Sequence, residues 1–533
     1  MSSKGIKYLL LLSWLIPLFI GLSGCEREVS PPDEPDPFVR LLKGQTYQSK
    51  ILHRPMNYAV LLPEEYENST DSFPVVYLLH GYGDDESAWY QWGNIQYYVD
   101  KYKAETVPAI YVMPEAFNSY YVNKYNGNYP IMDVLVNELV PEIDSLYRTV
   151  KDAGQRAVMG YSMGGYGAMV LPAKNPDVFK TGVVLSMSFR TDSQYVAEPQ
   201  DVFDYQWGPV FGGIGSAGSA RFTDYFLANS PFHFFGDPGS QSLAGLNFFI
   251  DCGDDEETLS ETNGELHNLL RDLDYPHEYR MRNGGHSWSY WQRSLHEALV
   301  YISDAFQQIL YPTDPEPVDP GPLIPAERYI TEQLAGSNIE FRVALPADYS
   351  TGTAYYPFIM VIHDRGSENQ EDRSQMMVSV LEKNMTDFKL PLSLIIEVPV
   401  QAGTITSGVI YDIIGQVRDS YRLYDSRGVV VGNGQGGLIA YTIFPSCTGP
   451  LNACLLFDAN LPANPELILP GQSIYLDISD RGINYKNYHM LYLSLRQNGI
   501  DHQYRVRQGT PSHISFLNGL DEATVFIKDH LLK

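Results

Sequence analysis

The sequence predicts an α/β protein with two bodies in tandem, each a mostly parallel sheet with helices on both faces. Three observations lead there. Short apolar runs alternate with longer helical patterns through the first part of the chain. A series of landmarks recurs in the same order in the second part. A Pro-rich tract, Pro312 to Pro325, separates the two series as a semi-rigid linker would.

The chain opens on a targeting segment. Lys4 and Lys7 precede the apolar run Tyr8 to Ile20, which is short for a membrane span. Leu22-Ser23-Gly24-Cys25 follows and resembles a bacterial lipoprotein box. That resemblance implies cleavage before Cys25 and lipidation of Cys25. No aspartate stands next to the cysteine, so the expectation is an exported lipoprotein of the outer membrane, on its periplasmic or surface face. Residues 1–25 are then the signal segment and 26–38 an acidic Pro-rich tether. The first body covers 39–311, the linker 312–325, and the second body 326–533.

With 533 residues, the chain has room for more than one domain. Its net charge of −27 excludes nucleic acid as a natural partner and leaves the lipid anchor as the only expected membrane contact. The 39 tyrosines offer rings able to stack on sugars or phenols. Cys447 and Cys454 flank a loop-like stretch and could either bridge or pack as thiols. Cys252 ends an apolar run and reads as inert core. No Cys/His spacing suggests a metal site, and no cofactor is implied.

In the first body the strand-like runs are Tyr58-Leu62, Val75-Leu79, Ala109-Met113, Ala157-Met159, Gly182-Leu185, Leu246-Asp251 and Glu278-Arg282. Helical patterns fill gaps at Met132-Tyr147, Met163-Lys174 and Ser289-Leu310. The second body echoes the first. Val343 to Tyr349 echoes Val60 to Tyr66, and Ile362-His363-Asp364 echoes Leu79-His80-Gly81. Val431 to Gly437 echoes Met159 to Gly165, and two later strands repeat as well. Several matches in one order indicate an internal duplication.

The chemistry concentrates in Gly160-Tyr161-Ser162-Met163-Gly164-Gly165. A Gly-x-Ser-x-Gly between a strand and a small-residue helix bends the chain into a tight elbow and exposes the serine hydroxyl. A serine hydroxyl is a weak nucleophile and needs a base. His286, in Asn283-Gly284-Gly285-His286-Ser287-Trp288, follows the last strand and precedes the last helix. A carboxylate must hold that histidine's tautomer. The run after strand Leu246-Asp251 offers Glu256, with Glu257 and Asp255 as alternatives. Two backbone amides are candidate oxyanion donors. Met163 starts the elbow helix, and Tyr82 follows the turn His80-Gly81.

The second body is altered at these points. Gly434 stands where Ser162 stands, and Asp364 replaces Gly81. The counterpart of Asp204 to Phe235 is missing. A segment lost together with the nucleophile reads as part of a substrate pocket, so Tyr205 and Trp207, with Trp288, are candidate pocket residues. His513 falls in the old histidine region if two residues are inserted before it. The second body is therefore expected to be a degenerate copy that binds glycan, packs on the first body or dimerises.

These motifs, together with Ser119-Tyr120-Tyr121-Val122-Asn123, Tyr147-Arg148-Thr149 and Asp251-Cys252-Gly253, resemble the esterase D-type family. That group includes feruloyl and acetylxylan esterases, siderophore esterases, S-formylglutathione hydrolases and mycolyltransferases. The resemblance implies an α/β-hydrolase fold and ester chemistry through an acyl-serine. It implies Ser162 as nucleophile, His286 as base, and Met163 and Tyr82 as oxyanion donors. The family usually carries aspartate where Glu256 or Glu257 falls. The expected activity is removal of feruloyl or other acyl groups from an acylated polysaccharide or a small ester. A siderophore-lactone esterase, acyl transfer to a sugar and a non-catalytic glycan-binding protein are the alternatives.

Overall fold

The computed structural model describes residues 39–236, 243–309, 315–364, 370–400, 405–447, 449–463, 465 and 471–532. The expected signal segment with Cys25, the expected tether and residues 312–314 of the expected linker lie outside the described residues. From Arg40 onward the chain forms one compact unit.

Among the described residues, eight strands come from the first part of the chain: β1 (Leu41–Ser49), β2 (Arg54–Leu61), β3 (Val75–Leu79), β4 (Ile110–Pro114), β5 (Arg156–Tyr161), β6 (Thr181–Leu185), β7 (Asn247–Gly253) and β8 (Glu278–Arg282). Eight more follow the linker: β9 (Tyr329–Gln333), β10 (Glu340–Ala344), β11 (Tyr356–Asp364), β12 (Leu394–Val400), β13 (Leu423–Asn433), β14 (Leu451–Phe457), β15 (Ser473–Ser479) and β16 (Asp501–Arg507). Their spatial order is β1-β2-β4-β3-β5-β6-β7-β8-β16-β15-β14-β13-β11-β12-β10-β9. Read inward from each end, the two halves have the same order, strand for strand. In both, the first two contacts are antiparallel and the rest parallel. The duplication read from scattered motifs is thus a duplication of topology.

β3 to β7 are buried on both faces, and their near-continuous apolar runs follow from that. β1 is half-exposed and only weakly apolar, and it is missing from the strands read in the sequence. Each half has its own core. In the first, the helix Trp288–Phe306 lays Trp291, Leu295 and Leu299 against Met159, Tyr161 and Leu185. In the second, the helix His513–Glu522 lays Phe516, Leu517 and Leu520 against Val431 and Phe457.

The halves meet where β8 and β16 run antiparallel, with Met281 opposite Val506. Around this point the contacts are reciprocal, as in an isologous interface. Arg280 of the first half donates to Asp480 of the second at 3.0 Å. Arg505 of the second half donates to Asp254 of the first at 2.9 Å. All four residues are buried. Burial pushes the Asp480 carboxyl up to about 7, against the pull of Arg280. Beside the pair, Gly264 in the helix Thr258–Asp272 leaves room for the His489 ring, which would lie 2.1 Å from a Cβ there. Of the roles the sequence left open for the second body, packing on the first is the one seen here: one sheet runs through both.

Cys447 and Cys454 are free, buried thiols. Cys454 sits inside β14 between β13 and β15, where burial pushes its thiol up.

Candidate active site

Ser162 directly follows β5 with φ 58° and ψ −119°, a conformation that side chains avoid, and the helix Met163–Lys174 starts directly after it. Three glycines make that turn possible. A Cβ on Gly160 would lie 2.2 Å from the Gly164 carbonyl oxygen. One on Gly164 would lie 2.3 Å from the Leu79 oxygen, and one on Gly165 would lie 2.6 Å from the Leu185 oxygen. The elbow is thus wedged between β3 and β6, and no larger residue fits.

The His286 loop, between β8 and the helix Trp288–Phe306, brings Nε2 to 2.9 Å from Ser162 Oγ. On its other side Nδ1 lies 2.7 Å from Glu256 Oε2. Glu256 is buried, and its second oxygen accepts from the Gly253 amide at 2.9 Å and from Ser186 Oγ at 2.6 Å. The Trp291 indole donates to Ser186 Oγ at 2.8 Å. Trp291 also sets its ring edge-on to the imidazole, 5.0 Å between centroids. The hydrogen-bonded series therefore runs from Trp291 through Ser186, Glu256 and His286 to Ser162.

The two alternative acids are not in this series. Asp255 and Glu257 are exposed, whereas Glu256 points inward. Directly after Glu256, Glu257 has φ 49°, at the turn between the loop and the helix Thr258–Asp272. Asp251 is buried within β7, where it accepts from the Tyr290 hydroxyl and pairs with Arg282. Ser186 and Trp291 escaped the sequence reading because a hydroxyl and an indole far from any motif carry no pattern of their own.

Met163 is the first residue of the elbow helix, so its amide has no carbonyl a turn behind it. Tyr82 follows Gly81 at the end of β3. A Cβ on Gly81 would lie 2.6 Å from the Tyr161 ring, so the turn is closed to larger residues. His80 is not a competing base. It is buried, its Nε2 accepts from the Ala116 amide at 3.1 Å, and burial lowers its pKa.

The three candidate pocket residues part company. Tyr205 is 72% exposed, with its ring 6.5 Å from that of Tyr82. Trp288 is half-buried and packs edge-on against Tyr161 at 4.5 Å and Trp89 at 5.4 Å. Trp207 is fully buried, which corrects its reading as a pocket residue. It packs 5.0 Å from Tyr120 and 5.9 Å from Phe189, with the Arg190 guanidinium over its face. Its large apolar area is the internal core of the segment that carries Tyr205 on its surface.

In the second half, Gly434 occupies the elbow with φ 56°. A Cβ there would lie 2.8 Å from Asp364 Oδ2, which also accepts from the Gln435 amide at 3.3 Å. A carboxylate thus faces the amide that matches Met163. Asp254 accepts from the Gly284 amide and Asp480 from the Gly509 amide, both at 3.0 Å, which aligns the two histidine loops. Counting on from those glycines, Pro511 matches His286 and His513 matches Trp288. The expectation that His513 keeps the histidine position is therefore corrected, because no residues are inserted before it. Counting on from Asp254 and Asp480, Gly482 matches Glu256.

Residues 49–302 match the family model described as "Putative esterase". A stretch of 144 residues is 28% identical to an endo-1,4-beta-xylanase/feruloyl esterase of Xylanibacter ruminicola, covering 25% of this chain and 20% of that protein. A stretch of 272 residues is 23% identical to an acetyl esterase of Caldicellulosiruptor saccharolyticus, covering 48% of this chain and 96% of that protein. The chain thus spans only a fifth of the first relative's length. Among solved structures, a ferulic acid esterase aligns with 25% identity and a TM-score of 0.41, over 50% of this chain and 98% of that one. Over residues 49–302, which hold the serine elbow, the first half of this chain is thus similar to the putative esterase family.

Proposed function

We propose that the first half is a serine carboxylic-ester hydrolase with Ser162 as nucleophile, His286 as base and Glu256 as the acid that holds it. The observation that carries this reading is the linked series Glu256–His286–Ser162, at 2.7 and 2.9 Å. Ser162 Oγ attacks the ester carbonyl while His286 Nε2 takes its proton. Glu256 fixes the tautomer through Nδ1 and stabilises the imidazolium. The amides of Met163 and Tyr82 receive the oxyanion. The imidazolium then protonates the departing alcohol, and a water activated by the same histidine releases the acid. No cofactor enters this cycle.

The substrate we favour is a feruloyl or other acyl group on plant polysaccharide. The exposed Tyr205 ring near Tyr82 suits an aromatic acyl group, and relatives named feruloyl and acetyl esterase point the same way. We infer that the second half is catalytically silent, since Gly434, Gly482 and Pro511 stand at the three triad positions. Export and lipidation at Cys25 complete the proposal.

The test is hydrolysis of methyl ferulate, p-nitrophenyl acetate and a catecholate trilactone by the full chain beside Ser162→Ala. Loss of the nucleophile is expected to lower turnover by roughly four to six orders of magnitude. Because the second half is intact in that variant, residual turnover near the wild-type rate would overturn both the nucleophile and the silence of the copy. Preference for the trilactone would replace the polysaccharide reading with a siderophore one.

A further inference from the structure

We propose that the second half is a positioning element for the first half's triad, acting through Arg505, Tyr504, Tyr492 and Arg496 on the loop that carries Glu256. The inference rests on the esterase reading above and deepens it.

Glu256 arrives on a four-residue loop, Asp254 to Glu257, between β7 and the helix Thr258–Asp272. The loop ends at Glu257 with φ 49°, a strained conformation. Such strain persists only where the surroundings fix it. Here much of the surrounding structure belongs to the other half. The Asp254 carboxylate takes a 2.9 Å bond from Arg505 Nη1 and a 3.0 Å bond from the Tyr504 amide. The Tyr492 hydroxyl donates to the Asp254 carbonyl at 2.7 Å. Arg496 Nη1 donates to the Glu257 carbonyl, also at 2.7 Å. Both ends of the loop are therefore held from across the seam, and the residue between them that faces His286 inherits its position.

The same carboxylate reaches the base. Asp254 Oδ1 accepts from the Gly284 amide at 3.0 Å, two residues before His286. The Asp255 amide returns a 3.0 Å bond to the Gly284 carbonyl. Asp254 is buried, and so are Arg505, Tyr504 and Tyr492. One carboxylate thus ties the second half, the acid loop and the histidine loop together.

The molecule supplies its own control. Asp480 is held by Arg280 and by the Gly509 amide just as Asp254 is held by Arg505 and the Gly284 amide. The loops it steadies carry Gly482 and Pro511, so there is no triad to position. A purely structural role predicts equal consequences at the two sites. A positioning role predicts unequal ones.

The experiment compares Arg505→Met and Asp480→Asn in the full chain. Competent sites are counted by end-point titration with a fluorophosphonate, and kcat and KM are measured per competent site on p-nitrophenyl acetate. Arg505→Met is expected to lower kcat about tenfold to hundredfold, the scale of a small misplacement of catalytic groups, at nearly unchanged KM. Asp480→Asn is expected to keep the wild-type kcat while losing thermal stability. Should Arg505→Met not fold, Tyr492→Phe carries the test with a severalfold fall in kcat. An unaltered kcat per site in the folded seam variant, or an equal fall in Asp480→Asn, would overturn the proposal. Wild-type turnover in Ser162→Ala would instead overturn the esterase reading, so the two failures are distinguishable.

Discussion

At the scale of single residues, the candidate site turns on which oxygen faces His286. Glu256 presents Oε2 to Nδ1, and its other oxygen is held by Ser186 and the Gly253 amide. Glu256→Gln keeps the shape but can set an amide N–H against Nδ1, favouring the tautomer that cannot accept the serine proton. Turnover is expected to fall by about four orders of magnitude, with substrate binding little changed, in steady-state kinetics on p-nitrophenyl acetate. Ser162 and His286 were legible in the sequence because glycine-framed motifs mark both. The acid was not, since adjacent carboxylates have the same chemistry and only the folded loop shows that Glu256 is the one facing His286. Ser186, which steadies Glu256, had no motif at all.

At the scale of elements, the elbow and the segment after β6 divide the work. The elbow is fixed by packing, because its glycines sit against carbonyls of β3 and β6. Its boundaries, Met163 to Lys174, were read correctly from the small-residue run. The segment Asp204 to Phe235 is built the other way. It hangs on a buried Trp207 and offers the exposed Tyr205 outward. The loss of this segment from the copy marked both aromatics as pocket residues, but burial is a property of the folded surroundings and separates them. Tyr205→Ala should raise KM for methyl ferulate by up to about tenfold, the worth of one aromatic contact. KM for p-nitrophenyl butyrate, with its flexible acyl chain, serves as the comparison and should move less. Equal changes on both esters would remove Tyr205 from acyl recognition.

At the scale of the whole molecule, the Pro-rich tract suggested two bodies with a semi-rigid linker between them, and the sheet joins them. That join was illegible because it depends on buried charges at strand ends. Arg280 and Arg505 look like ordinary surface residues of their strands until each is found against the other half's aspartate. Breaking a buried pair of this kind costs about 3–5 kcal/mol, so neither half should unfold alone. Calorimetry of the full chain is expected to show one transition, with calorimetric and van't Hoff enthalpies nearly equal. Two resolved transitions would show that the seam does not couple the halves.

The reciprocal seam has a further consequence. Two identical subunits meeting in this way would come from one coding sequence, so a substitution at the elbow would strike both at once. They would also part on dilution. Here the copies are covalently tethered, and each keeps a fixed local concentration of the other. Glycine at position 434 can coexist with serine at position 162, and the loss of one site leaves the other intact. Fusion releases the copies from having to change together.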